Sequence, residues 1–318
     1  MQRRGRGRWI PVSAVVAVLA GLPLGADAIT GPVKVVGGPE DQLHPSVDDT
    51  FLIWTQNSER RPNVDHAYGK VLGENGRFRL DASGFRGVAG GIDPVSGRAI
   101  YQQMSDDRSD LYWFDLDARE RTKVAADGVN TDRWERDPRV SAAFLLFARD
   151  AGSTTSLFLF DRAADSLTRI AEYDITGFFL APGAVGERYA AWSVCGPFTC
   201  SVWWYDTQDA DPTPRKLASV EGRPQYAPVI DEVGGFVYFV RSGHGCGEAV
   251  GVWRRAWPLD PDVHAERLVA LPAGIDTGWT TALDRDVADQ RVDLWFSRYR
   301  CGAQQGDVVE LRDVETIP

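Results

Sequence analysis

The sequence predicts an all-β protein, a six-bladed β-propeller of four-stranded antiparallel blades, and three observations carry that expectation. First, a short apolar strand ending on a large ring recurs: Leu52-Ile53-Trp54, Ala99-Ile100-Tyr101, Leu145-Leu146-Phe147, Ala190-Ala191-Trp192, Val237-Tyr238-Phe239 and Leu294-Trp295-Phe296. The last residues of these segments step by 47, 46, 45, 47 and 57 residues. Second, a partner strand follows at the same phase, marked by Tyr68, Phe114, Phe160, Tyr205, Trp253 and Leu311. Third, no stretch has helical periodicity long enough to compete. Periods of this size mean solenoids, arrays or propellers, and four strands every ~45 residues is the blade of a propeller.

Each unit reads as four strands, a to d. The a strand is a short apolar stretch introduced by proline or glycine, as in Pro45-Ser46-Val47, Pro138-Arg139-Val140 and Pro228-Val229-Ile230. The ring-ended segment is b. The c strands lie in stretches such as 110–115, 156–161 and 201–206, each closed by aspartate. A basic residue leads each d strand: Lys123-Val124-Ala125, Arg169-Ile170-Ala171, Lys216-Leu217-Ala218 and Arg267-Leu268-Val269. Gly, Asp, Ser and Pro mark the turns between them. The b and c strands are apolar on consecutive residues, which suits strands covered on both faces by neighbouring blades. Rings and β-branched residues suit such a pleated, buried surface.

Blades are expected over 42–81, 88–126, 135–172, 182–219, 225–271 and 279–318. The last unit supplies a c strand near 307–313 and little room for d. Residues 32–36, Pro-Val-Lys-Val-Val, carry a d signature with no partner of their own. They are predicted to complete the last blade, since pairing the termini removes the free edges an open ring would expose.

The N-terminus reads as a signal peptide over 1–28, leaving 29–318 as one propeller domain. Arg3, Arg4, Arg6 and Arg8 precede an apolar stretch, and Ala26-Asp27-Ala28 supplies a small-x-small cleavage pattern. Pro11, Gly21 and Pro23 break that stretch, which argues against a membrane span. A secreted or periplasmic protein without stable membrane insertion is expected. Cleavage removes four arginines and one aspartate, leaving 31 basic against 44 acidic residues, a charge of −13. So acidic a surface repels phosphate backbones and excludes nucleic acid as a partner class.

Four cysteines in an exported chain read as disulfides. Cys195 and Cys200 flank the b–c hairpin of the fourth unit, and Cys246 and Cys301 occupy b–c loops of neighbouring units. Pairings 195–200 and 246–301 are predicted. Zinc fails on spacing, because no histidine pair accompanies a CxxC. Neither a metal nor a cofactor is expected.

The second unit reads Asp93-Pro94-Val95-Ser96-Gly97-Arg98-Ala99-Ile100-Tyr101, then Asp110 to Asp115, and His44-Pro45-Ser46-Val47-Asp48 opens the first. These units resemble the blades of the TolB-type six-bladed propeller superfamily, and the resemblance covers 30–318. It is specific for fold and weak for function. TolB itself carries an α/β domain ahead of its propeller, for which no stretch is expected here, so the resemblance implies the propeller alone.

Sequence-local catalytic signatures are absent: no Gly-x-Ser-x-Gly elbow, no His-Glu-x-x-His, no phosphate loop, and no dinucleotide fingerprint outside the leader. In a propeller the d–a connections and b–c loops emerge on one side. The longer segments and all four cysteines fall there. Candidate ligand- or partner-binding residues on that face are His44, Arg133, Trp134, Arg223, Tyr226, His244 and Trp279, because aromatic and arginine clusters on a rim suit recognition. The plain structural reading is that such rings plug the channel or pack between blades. Asp115, Asp161 and Asp206 repeat at c–d turns, where a carboxylate accepts backbone N–H groups. The chain therefore reads as an exported binding or protein-interaction module for a protein, peptide or small molecule rather than an enzyme. The alternative is a hydrolase or lyase on carbohydrate or lactone substrates at the channel mouth, which needs carboxylates or histidines converging there. A passive envelope scaffold is expected if apolar side chains plug that mouth.

Overall fold

A computed structural model describes residues 30–37, 40–58, 61–197, 199–217, 223–243, 245–257, 264–286, 291–302 and 306–316. Every regular element among them is a strand. The first unit comprises β2 (Gln42–Val47), β3 (Phe51–Ser58), β4 (Arg61–Val71) and β5 (Phe78–Arg79), after a lone strand β1 (Thr30–Val36). The second comprises β6 (Arg86–Ile92), β7 (Arg98–Met104), β8 (Ser109–Asp115) and β9 (Arg121–Lys123). The third comprises β10 (Trp134–Val140), β11 (Phe144–Ala151), β12 (Thr154–Asp161) and β13 (Ser166–Asp174). The fourth comprises β14 (Phe179–Val185), β15 (Tyr189–Cys195), β16 (Cys200–Asp206) and β17 (Arg215–Lys216). The fifth comprises β18 (Gln225–Asp231), β19 (Phe236–Arg241), β20 (Gly251–Ala256) and β21 (Glu266–Ala270). The last comprises β22 (Ile275–Asp286), β23 (Arg291–Arg300) and β24 (Gly306–Thr316).

Within each unit the strands pair antiparallel in sequence order. The result is a propeller arrangement of antiparallel sheets. β1 supplies the missing edge of the last unit, pairing antiparallel with β24 so that Val33 faces Glu310 and Lys34 faces Val309. An ion pair of 2.7 Å between Lys34 and Asp307 adds to this seam. Among the described residues the strands form five sheets, not the expected six separate ones. One is eight-stranded, because Trp134 at the start of β10 makes a parallel bridge to Ser109 of β8 and joins the second and third units.

The innermost strands form a closed cycle. β2 packs on β6, β6 on β10, β10 on β14, β14 on β18, β18 on β22, and β22 back on β2. All of them contribute to the wall of one central cavity. Each inner strand carries a register shift at an equivalent place, as at Leu43/Ser46, Ala89/Ile92, Arg136/Arg139 and Tyr226/Val229. His44, Asp137 and Ala227 sit at these bulges with φ of 53°, 52° and 53°, and each precedes a proline. A bulge leaves residues unpaired, so proline fits inside the strand instead of starting it. The a strands therefore start three or four residues ahead of these prolines, at Gln42, Trp134 and Gln225. At the second unit's bulge stands Gly90, where a Cβ would meet the carbonyl oxygen of Pro138 at 2.6 Å. Neighbouring inner strands approach too closely there for any side chain.

The repeated b-strand rings are the core. Trp54, Tyr101, Phe147, Trp192, Phe239 and Phe296 are all buried at 1% exposure or less. They sit between sheets, where removing one large ring costs about 3–5 kcal/mol. The side carrying the a–b and c–d turns is laced unit to unit by charge. Arg162 forks onto Asp93 at 3.0 and 2.8 Å, and Arg285 onto Asp231, at 3.0 Å through Nε. Glu232 accepts the backbone N–H groups of Glu187, Arg188 and Tyr189 at 2.8, 2.9 and 2.7 Å. Asp115 and Asp161 each accept two turn N–H groups, as their repetition predicted.

Candidate functional site

On the opposite side, where b–c loops and d–a connections emerge, the chain is tied by its disulfides. Cys195 and Cys200 face each other across the β15–β16 hairpin, and Cys246–Cys301 links the loops of the fifth and last units. Between them opens a cavity of about 350 Å³, lined in part by Pro197, Cys200, Tyr226, Cys246, Asp276 and Tyr299. Its floor is the buried carboxylate of Asp276. That group accepts hydrogen bonds from the Tyr226 hydroxyl (2.8 Å), the Thr277 backbone (2.8 Å) and the Gly247 backbone (3.2 Å). Gly247 is required at this point: its φ is +65°, and a Cβ would strike the Gly274 backbone at 2.6 Å.

Burial, reinforced by the Asp276 carboxylate, pushes the Tyr226 phenol well above its ordinary range, and burial pushes Tyr299 up to about 12. Both hydroxyls therefore stay protonated at neutral pH and act as hydrogen-bond donors and acceptors. The sulfurs of Cys246 and Cys301 and a carboxylate oxygen of Asp276 lie within 4.8 Å of one another. With the sulfurs bonded to each other, this trio is not a metal site. The arrangement can present hydroxyls and a polar floor to a ligand.

Beside this cavity the entry to β14 exposes large apolar groups: Phe178 is 52% exposed next to Ile175, and Phe179, the first residue of β14, 47%. Phe85, 39% exposed, lies elsewhere on this side, on the d–a connection between the first and second units. Phe178 also lies next to Gly196 of the disulfide-closed hairpin. On the turn side the exposed large apolar residues among the described ones are the isolated valines Val95 and Val233.

The sequence-derived candidates separate into distinct places. Tyr226 lines the cavity with Cys200 and Cys246, and Arg223 is exposed close by in the chain. Arg133 is exposed and pairs with Asp132 at 3.5 Å. Trp134 opens β10 opposite Asp150, at the bridge between units. His244 and the side chain of Trp279 lie outside the described residues. His44 turns inward at its bulge, where the charges it feels are Asp137 and Arg139. Burial drives its pKa down to about 4, against the pull of Asp137. Burial pushes the Asp137 carboxyl upward, but Arg136, His44 and Arg139 together outweigh it and hold the group below the usual range.

No family model matches this sequence, and no curated protein matches it. Solved structures do match it in fold. A protein of unknown function from Dyadobacter fermentans superimposes with a TM-score of 0.62 at 10% identity, covering 90% of this chain and 99% of that one. A luciferin-regenerating enzyme gives 0.56 at 13% identity, over 88% and 95% of the two chains. TolB from Acinetobacter baumannii gives 0.52 at 10% identity, over 84% and 65%. The chain has a TolB-type propeller fold.

This TolB-type propeller spans about 65% of the length of the Acinetobacter TolB chain. Its loop side includes residues that sequence reasoning missed. Asp276 and Tyr299 carry no motif; only their position at the start of an inner strand and the end of a b strand marks them. Phe178 and Phe179 were legible in principle, as two adjacent rings ahead of the fourth blade expected from 182.

Proposed function

We propose that this chain is an exported, six-bladed TolB-like propeller that acts as a binding module, and that its loop side is the recognition surface for a protein or peptide segment. The eight-stranded sheet counts as two blades in this reading, since a single bridged residue pair joins its halves. The observation that carries it is the exposed apolar cluster of Ile175, Phe178 and Phe179 at the entry to β14, with Phe85 on another d–a connection of the same side. Clustered exposed apolar surface with a polar rim marks interaction sites, and aromatic groups dominate their energetics. The cavity over Asp276 supplies polar anchoring, and the disulfides hold the loops in one shape, which lowers the ordering cost of binding. The excess of acidic residues, 45 against 35 basic, favours a partner segment that is basic as well as apolar. Two disulfides agree with passage into an oxidising compartment. Among the described residues no helix is long and apolar enough to cross a membrane.

The hydrolase or lyase reading has less support. Asp137, the carboxylate that acts on His44, is held by Arg136 at 2.7 Å and is not free to serve as acid or base. The test is partner capture from envelope extract by the wild type and by an Ile175→Ala/Phe178→Ala variant. The variant is expected to lose partners that the wild type retains. Identical recovery would remove the loop side as the recognition surface.

A further inference from the structure

The loop-side cavity, about 350 Å³, stands at the small end of ligand pockets, which span roughly 300–1,000 Å³, so its size suits a single side chain. Tyr226 and Tyr299 supply rings to its wall, and among the described residues that line it the sole charged side chain is Asp276. That carboxylate is 9% exposed and has no ion pair among the described residues. Asp41 adds a second negative charge: it and Asp276 both act on the Tyr299 hydroxyl. The nearby arginines are directed elsewhere. Arg298 and Arg300 alternate with Tyr299 along β23, which puts them on the other face of the strand, and with Lys34 they line a neighbouring groove. A cleft lined by one sign of charge, with low-dielectric walls, concentrates its field. This one selects a cation.

The hydrogen bonds on Asp276 decide which cation. A carboxylate offers about four lone-pair sites. Oδ1 has two taken, by the Tyr226 hydroxyl and the Thr277 N–H, both at 2.8 Å. Oδ2 has one taken, by the Gly247 N–H at 3.2 Å. One acceptor site is left, on Oδ2. A guanidinium binds a carboxylate best through two parallel N–H groups on its two oxygens, and Oδ1 has no site for the second. An ammonium is a compact point charge that needs only one. Ser242, Thr277 and Tyr299 offer hydroxyl oxygens in the same lining for its remaining N–H groups. The way out of the cavity suits a chain segment. Gly196 is part of the lining, and the exposed ring of Phe178 lies beside it.

We infer that the cavity over Asp276 is a lysine pocket, in which the side-chain ammonium of a bound segment donates to Asp276 Oδ2 while the neighbouring residues of that segment lie on Ile175 and Phe178. The lysine comes from the segment proposed above for the loop side, so its source rests on that reading, whereas the cation preference of the cavity does not.

Titration of the oxidised protein with n-butylammonium, n-butylguanidinium and 1-butanol, followed by the NMR shifts of the Gly247 and Thr277 amides, tests the cavity by itself. The three probes share a four-carbon tail and differ in head group. Saturable one-to-one shifts are expected with butylammonium, with butylguanidinium weaker and butanol at least about tenfold weaker. Asp276→Asn is expected to weaken butylammonium by about tenfold or more. If that variant does not fold, the contrast among the probes on the wild type decides alone. Butanol or butylguanidinium binding as well as butylammonium, no saturable shift at these two amides, or unchanged binding by a folded Asp276→Asn variant would each overturn the inference. No partner enters this titration, so its outcome is read separately from that of partner capture. Capture by folded Asp276→Asn is expected to fall, and undiminished capture would overturn the segment's lysine as the occupant.

Discussion

The two sides of the ring are held together by different means. The turn side is laced by buried charge: Asp93 with Arg162, Asp231 with Arg285, and Glu232 with three backbone N–H groups. The loop side is laced by covalent bonds, and between those bonds it leaves a cavity and exposed phenylalanines. The difference teaches how one repeat serves two ends. Where charged groups are spent on the next unit, as at Asp93, Asp231 and Glu232, they are not offered to a partner. Where disulfides carry the constraint, side chains are released for recognition.

The strongest way to break this contrast is to cut a turn-side clamp. Asp231→Ala leaves Arg285 buried without its carboxylate, and stability should fall by about 3–5 kcal/mol in denaturant unfolding. Partner capture by the folded fraction should persist. Removing the loop-side staples should cost nearly as much. On chain-entropy grounds Cys246→Ser with Cys301→Ser loses about 4 kcal/mol, and Cys195→Ser with Cys200→Ser about 2, because the first bridge closes a loop of 55 residues and the second one of 5. Thermal unfolding of each pair against wild type checks the ranking, and a larger loss from the short bridge would contradict it.

A third measurement probes the channel between the two sides. Burial holds His44 neutral down to about 4, whereas an unfolded histidine titrates near 6.5. Between those values the unfolded chain binds a proton that the folded chain refuses. This contribution is fully present above pH ~6.5 and is lost as pH falls towards ~4, by up to about 3 kcal/mol. The wild-type minus His44→Gln difference in unfolding free energy should shrink across that window. A constant difference would place His44 outside the buried cluster. The smallest effect is expected at the surface: Ile175→Ala with Phe178→Ala should change stability by no more than about 0.5 kcal/mol per site.

Much of this architecture was legible because repetition is a local signal. The phase of Trp54, Tyr101, Phe147, Trp192, Phe239 and Phe296 placed the b strands, and each proved buried. The same phase paired the cysteines and assigned β1 to the last unit. What escaped was set by contacts across the axis. Arg139 and Thr281 share a cavity although 142 positions separate them, and nothing near either residue announces it. Pro45, Pro138 and Pro228 introduce the apolar stretch of each a strand in the sequence, and only the bulges show that proline lies inside the paired strand. The Trp134–Ser109 bridge is a single pairing with no pattern to mark it.

The division of labour between the sides can be tested by placing a photo-crosslinking benzoylphenylalanine at Phe178 or at Val233, which is 82% exposed on the turn side. Irradiation in the producing cells should yield discrete partner adducts from position 178 and none from 233. Adducts of the same partners from both positions, or from 233 alone, would contradict the account.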